Sequence, residues 1–179
     1  LEAHSEGLIA LSGCLQGGLP RRLLAGDYRG ALDLADRLRS IFEPGDLYVE
    51  LQNHNIPEEI RIIPELVKLA REVELRLVVT NDCHFCRRDD HYAHDVLLCI
   101  QTGKDLDDPR RVLRSNPETY FKSPDEMAAL FAGHEDALAA TLEVAEKCAF
   151  TMKDTGSHLP RFPIPAPFGN ANEYLEHVV

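Results

Sequence analysis

The residues best suited to chemistry lie in Val78-Val79-Thr80-Asn81-Asp82-Cys83-His84. An apolar, β-branched run leads into a carboxylate and an imidazole two positions apart. Read as a strand, the segment alternates its side chains between faces, so Asp82 and His84 share one side and Cys83 takes the other. Asp and His at i and i+2 on a strand end can hold one metal ion, as at the C-terminal mouth of an α/β barrel. The same pattern also occurs as an ordinary strand end with turn residues, where Asn and Asp are common. Spacing alone leaves both readings open.

Other donors follow the same logic. Cys14 closes the short apolar run Leu8-Ile9-Ala10-Leu11-Ser12, after Gly13, and is either a small buried hydrophobe or a thiolate ligand. Glu50 lies in Leu47-Tyr48-Val49-Glu50-Leu51, on the face of Tyr48, with His54 in the following turn; the plain alternative for Glu50 is a solvent-facing strand position. One candidate site is thus a strand-end cluster of Cys14, Asp82 and His84, with Glu50 or His54 near by. A competing candidate is a zinc knuckle, because Cys83 and Cys86 form C-x-x-C and His91 and His94 follow. Its loop would be tight, and no second C-x-x-C supports it. A redox C-x-x-C should open a helix with a reactive first cysteine, which this one does not. No P-loop, G-x-G-x-x-G or G-x-S-x-G elbow occurs in the sequence.

The elements that must position these residues alternate. Strands are expected at Leu8–Ser12, Leu47–Leu51 and Val78 onward. Between the first two, Tyr28, Ala31, Ala35, Leu38 and Phe42 mark a helix capped by Asp27 and stopped by Pro44-Gly45. Between the second and third, a helix starts at Pro57-Glu58-Glu59 and buries Ile60, Ile63, Val67 and Ala70, with Pro64 expected to kink or split it. Strand, helix, strand, helix, strand implies parallel strands under covering helices, in a barrel or an open α/β sheet. A third helix capped by Asp89 reaches about Thr102, with Val96, Leu97 and Ile100 on its apolar side and His91, His94 and Asp95 on a polar one. Gly103 to Lys122 reads as a solvated loop. Ser123-Pro124-Asp125-Glu126 has the form of a capping box, and Met127, Leu130 and Phe131 follow on the buried side. A helix from Glu135 to Cys148 is expected to bury Leu138, Leu142 and Ala145. The proline-rich stretch from Leu159 to Pro167 reads as an extended connector before a last helix from Asn170. The domain boundary is placed near His158.

The length of 179 residues suits one domain, or one and part of another, and the hydrophobic content of 44% suffices for a packed core. No run is long and apolar enough to span a bilayer. The start Leu1-Glu2-Ala3-His4 has neither a basic segment nor a methionine, so no signal peptide is expected, and a start inside a longer protein is. A net charge of −11 disfavours a free-standing nucleic-acid binder but not a metal-dependent nuclease, whose site needs carboxylates. Five cysteines without framework spacing point to a reducing cytoplasm.

Several motifs occur together in a fixed order: Leu8 to Cys14, Leu47 to His54, Val78 to His84, His94-Asp95-Val96-Leu97-Leu98-Cys99-Ile100-Gln101-Thr102-Gly103-Lys104, Tyr120 to Met127, and Leu159-Pro160-Arg161-Phe162-Pro163. In this set the chain resembles the alpha subunits of bacterial DNA polymerase III, the C-family replicative polymerases, over nearly its whole length. The resemblance implies an α/β fold that is part of a distorted (β/α)7 PHP barrel, with C-terminal helices and an extended linker. It implies a division into residues 1–157, the C-terminal portion of the polymerase-and-histidinol-phosphatase (PHP) domain, and residues 158–179, the linker and start of the polymerase domain.

The resemblance makes Cys14, Asp82 and His84 metal ligands, for zinc or manganese, in a site that supports 3′–5′ exonuclease proofreading in members with an intact cluster. Bridging metals there would activate a water and clamp the phosphodiester. Glu50 and His54 match a family motif and would lie near the site, with Glu50 able to orient ligands. The early His-x-His ligands and the magnesium-binding polymerase aspartates match nothing in this chain, so alone it is expected to catalyse neither reaction and to expose strand edges. For the parent, the resemblance implies DNA-directed DNA synthesis, DNA and dNTP binding, and a place in the cytoplasmic, nucleoid-associated replisome. Partners there are a sliding clamp, a clamp loader and a proofreading subunit. Two alternatives are a non-catalytic PHP scaffold that stabilises the polymerase and docks the proofreading subunit, and an unrelated amidohydrolase- or phosphatase-like barrel.

Overall fold

Three short parallel strands lead to the candidate residues. In the computed structural model, which describes all residues except Leu1, Val112, Leu113, Thr155, His158, Leu159 and Arg161, β1 (Ala10–Leu11), β2 (Leu47–Leu51) and β3 (Arg76–Val79) lie in that order. Ala10 pairs with Leu47 and Leu11 with Tyr48; Tyr48 through Leu51 pair with Arg76 through Val79. Parallel neighbours need a crossover. The helices α1 (Gly18–Leu24) and α2 (Tyr28–Arg39) supply the first, and α3 (Pro57–Glu72) the second. A single 3-10 turn, Arg88–Asp90, leads into α4 (His91–Thr102), followed by α5 (Pro124–Leu130), α6 (Glu135–Lys147) and α7 (Ala171–Val178).

The central strand β2 is buried along all five residues, as expected for a parallel strand covered on both faces. Its alternating side chains divide the core. Val49 and Leu51 pack with Leu19 and Leu23 of α1, Ala31 and Ala35 of α2, and Leu66 and Leu69 of α3. Tyr48 faces the other way, in a cluster with Val78 and Ala140 of α6. At the N-terminal edge of the sheet, Lys147 Nζ donates to Gly45 O at 2.7 Å, to Asp46 Oδ1 at 3.1 Å and to the Tyr48 hydroxyl at 3.2 Å. The Tyr48 hydroxyl donates to Glu143, which also pairs with Arg76. This belt fastens α6 beneath β2 and β3.

The alternation of strands and helices agrees with the sequence reading, and several details differ from it. The first strand is only two residues long, and Leu8 is exposed. The helix from Tyr28 ends at Arg39, a turn before Pro44. Pro64 does not split α3: it sits on the exposed face, where water can satisfy the carbonyl that loses its partner. The buried stripe of α3 is Glu59, Ile62, Leu66, Leu69 and Ala70, while Ile60 is 50% exposed. In α6 the small Ala137 and Ala140 meet the core and Leu142 is exposed. In α4 only Cys99 is buried, and Leu97 and Ile100 face solvent. The loop from Gly103 is pinned rather than freely solvated, because the buried Arg111 pairs with Asp95 and donates to Leu106 O at 2.9 Å. The capping box is present: Ser123 Oγ accepts from Glu126 N–H, and Glu126 Oε2 accepts from Ser123 N–H at 2.7 Å.

Among the described residues, β1 and β3 each pair on one side only, so the three strands form an open sheet. Their parallel order agrees with part of a barrel. The chain divides into two compact units, Leu1–Cys148 and Ala149–Val179. The boundary expected at His158 lies outside the described residues, as do Leu159 and Arg161 of the connector. In the second unit Asn170 caps α7 by accepting from Asn172 and Glu173 N–H, and Phe162 stacks on Tyr174 with centroids 5.7 Å apart. No helix among the described residues is long and apolar enough to cross a membrane.

Candidate functional site

Both outer strands point their C-terminal ends at the same edge of the sheet, the edge where parallel α/β folds bind ligands. Past Leu11 the chain reaches Cys14, and past Val79 it reaches Asp82. Between these exits stands Glu50, on the face of Tyr48 as the alternation requires, but buried at 8% exposure rather than turned to solvent. Its Oε2 accepts from Gly13 N–H at 2.9 Å. Its Oε1 accepts from the Thr80 hydroxyl and from Gln52 Nε2, the latter at 3.0 Å. Its backbone N–H donates to Ser12 Oγ at 2.9 Å. Glu50 therefore clamps the exits of β1 and β3 to β2.

His54 is buried, with both ring nitrogens engaged. Nδ1 lies 2.8 Å from Glu59 Oε1, and Nε2 lies 2.9 Å from the Asn81 carbonyl. A carbonyl oxygen only accepts, so Nε2 carries a proton; facing a carboxylate, Nδ1 carries one too. Burial opposes that charge, but the bonds to Glu59 and Asn81 prevail and raise the His54 pKa above the ordinary imidazole value. Glu59 also accepts from His54 N–H at 2.6 Å. It is the third residue of α3, the position from which a glutamate commonly reaches back to the preceding chain.

Asp82 and His84 lie beyond the end of β3. The strand stops at Val79 and Asp82 takes a left-handed φ of 41°, so the alternation that put Asp82 and His84 on one side does not extend to them. What forms instead is an irregular segment tied to the loop from Glu118 to Phe121. Asn81 Nδ2 donates to Glu118 O at 3.0 Å and to Tyr120 O at 2.6 Å. His84 N–H donates to Thr119 O at 2.8 Å, and Phe121 N–H to Phe85 O at 3.1 Å. His84 Nδ1 donates to Asp82 O at 2.6 Å, which leaves Nε2 as the nitrogen that could face a metal ion. Asp82 and His84 are exposed, and Cys14 is half-buried.

As donors, a thiol, a carboxylate and an imidazole fit zinc or manganese. As a set they are incomplete: among the described residues, no three His, Cys, Asp or Glu side chains are gathered to hold an ion. The same holds for the knuckle. Cys83 and Cys86 are exposed, and His94 Nδ1 bonds Ser115 Oγ at 2.9 Å while its ring lies 5.4 Å from those of His84 and Phe85. Asp95 accepts from Ser115 N–H at 2.8 Å and pairs with Arg111; in that order, these hold its carboxyl below the usual range. All five cysteines are free thiols. Sequence reasoning passed over Asn81 and Glu59. Their signals were an asparagine directly before the Asp-x-His and a glutamate at the third position of a proline-led helix.

A PHP domain model matches residues 1–54, a range that holds Cys14, Glu50 and His54 but ends before Asp82. The chain is 38% identical over 179 residues to a DNA polymerase III subunit alpha of Treponema pallidum, covering 100% of this chain and 15% of that protein. It is 40% identical over 176 residues to that of Thermus aquaticus, covering 92% of this chain and 14% of the relative. With that of Mycobacterium tuberculosis it shares 35% over 182 residues, covering 98% and 15%. The chain thus spans about 15% of the length of the curated relatives it matches. Along nearly all of its length the chain thus matches a segment of DNA polymerase III alpha subunits, with the PHP match at its start.

Proposed function

We propose that the chain serves within a replicative DNA polymerase, a DNA-directed nucleotidyltransferase, as a PHP-bearing segment whose strand-end edge contributes Cys14, Asp82 and His84 to a metal site. The observation that carries the polymerase reading is identity of 38% along all 179 residues with a relative named as a polymerase subunit. The metal reading is supported by the common edge these residues occupy and by the Nδ1 hydrogen bond of His84. In this reading the remaining ligands come from outside the chain, and a bound zinc or manganese would supply Lewis-acid activation for 3′–5′ phosphodiester hydrolysis. Magnesium would serve the polymerase site. DNA and dNTPs, a sliding clamp, a clamp loader and a proofreading subunit are the partners proposed for the whole polymerase, in a cytoplasmic replisome. The relatives named above, each a polymerase subunit, give the unrelated amidohydrolase- or phosphatase-like barrel no support.

A second reading, the non-catalytic scaffold, is favoured by Glu50 and His54, whose polar groups are both spent on internal hydrogen bonds. Metal content of the intact polymerase, measured by mass spectrometry in wild type and in Asp82→Asn/His84→Ala, separates the two. Bound zinc or manganese that drops in the variant is the expected result. Content that is unchanged, or absent from both, overturns the metal reading in favour of the scaffold.

A further inference from the structure

We propose that His54 and Asn81 are the positioning residues of the strand-end edge: together they fix the segment that presents Asp82 and His84. The role of that segment in metal binding rests on the reading above, but the positioning itself does not.

The argument is one of geometry. The Asn81–Asp82 peptide is held from two sides. Its carbonyl accepts from His54 Nε2 at 2.9 Å, and the side chain one atom away in the backbone, Asn81 Nδ2, grips the carbonyls of Glu118 and Tyr120. Asp82 then takes φ 41°, a conformation that costs a non-glycine residue about 1 kcal/mol and persists only where the surroundings fix it. Past that φ the chain runs irregularly to the parallel bridge of Phe85 with Tyr120, with His84 N–H on Thr119 O and His84 Nδ1 on Asp82 O. The anchor at the other end is α3: Glu59 holds both the backbone N–H and the ring of His54. Asn116 Nδ2 adds a bond to the His54 carbonyl at 3.1 Å. The path runs from a rigid helix, through an imidazole, to the peptide bond that carries Asp82.

A mere core filler would not need this construction. His54 is 4% exposed and Glu59 5%. Burying an ionised pair is costly, and an apolar residue of similar volume often serves stability as well or better. What an apolar residue lacks is a donor for the Asn81 carbonyl. Asn81 is likewise 7% exposed and uses its amide on two main-chain carbonyls of a distant loop, a specific rather than space-filling arrangement.

Hydrogen exchange with mass spectrometry on the full-length polymerase tests the proposal, read at the amides of His84 and Phe121. In His54→Leu, exchange at both should quicken about tenfold or more, the equivalent of one lost hydrogen bond, while β2 stays protected. His54→Gln keeps an amide donor for the Asn81 carbonyl and should restore most of that protection, a rescue that simple packing would not give. Unchanged exchange in His54→Leu, or a His54→Gln as fast as His54→Leu, overturns the proposal. If His54→Leu also unprotects β2, Asn81→Ala decides. It leaves the His54–Glu59 pair intact and should still quicken the same two amides; no change there overturns the proposal. Wild type without bound zinc or manganese would sink the metal reading, yet leave a His54-dependent segment standing. Metal bound equally in wild type and His54→Leu, with unchanged amides, would do the reverse.

Discussion

Replacing Glu50 by glutamine keeps its shape and removes its charge, and the surrounding donors turn that small change into a large one. Three donors converge on the carboxylate: Gly13 N–H, Gln52 Nε2 and the Thr80 hydroxyl. A glutamine offers one oxygen and one amino group. In its less harmful orientation the oxygen keeps Gln52 and Thr80, and the amino group meets Gly13 N–H, donor against donor. Gly13 N–H, which is only part-buried, and the new amino group are then both left without an acceptor, together at about 1–3 kcal/mol, and two bonds to a charged acceptor become neutral, at about 1 kcal/mol each. Relief of the buried charge offsets part of this, for a net loss of about 2–4 kcal/mol. With a urea slope of about 2 kcal/mol per molar, the unfolding midpoint falls by about 1–2 M. Urea titration followed by far-ultraviolet circular dichroism measures it, with the exposed Glu58→Gln as a control within about 0.5 kcal/mol of wild type. Repeating the titration with a chelator should leave the loss unchanged, because the clamp is built from protein donors. A Glu50→Gln midpoint within about 0.3 M of wild type, or a loss that vanishes with chelator, would refute the clamp.

Two further outcomes follow from the geometry. His54 has a raised pKa in the folded state, so its pairing contributes stability that is fully present below about pH 6.5 and is lost as pH rises through the folded value. The urea midpoint of wild type should therefore decline relative to that of Glu59→Gln between pH 6 and 9, and parallel profiles would contradict the assignment. Ser123→Ala removes the cap of α5 and should cost about 1 kcal/mol by thermal unfolding, with Ser123→Thr near wild type.

Local chemistry was the readable part of this sequence. Asp27 and Ser123 announce their helices because a cap needs only a side-chain oxygen and an N–H three residues on. The range of β2 was legible because a strand buried on both faces is apolar almost throughout. Helix facing was harder. In α6 the expected stripe of Leu138, Leu142 and Ala145 is displaced: Leu138 packs on the core in part, Leu142 and Ala145 are exposed, and Ala137 and Ala140 are buried, since small residues let the helix sit close over Tyr48 and Val78. In α3 the stripe is displaced because the helix carries apolar residues on more than one face, with Ile60 left outside. At the candidate site, Cys14, Asp82 and His84 were marked by where apolar runs end. The clamp at Glu50 was not, because its partners lie 37 and 30 residues away, and no local pattern encodes such a meeting. Nor could alternation foresee the left-handed φ at Asp82, beside an Asn81 held by His54 and by the carbonyls of Glu118 and Tyr120.

The belt of Lys147, Asp46, Tyr48, Glu143 and Arg76 lies at the sheet edge opposite the candidate residues. It divides labour along the strands. One end is bolted by its own charges, apart from the candidate residues at the other. Such a division makes the fold evolvable: residues at the working end can be exchanged, and an activity gained or abandoned, while the far end keeps the scaffold assembled. A lineage that discarded its strand-end ligands would still inherit a folded platform. Loss of chemistry in such a domain need not entail loss of the domain.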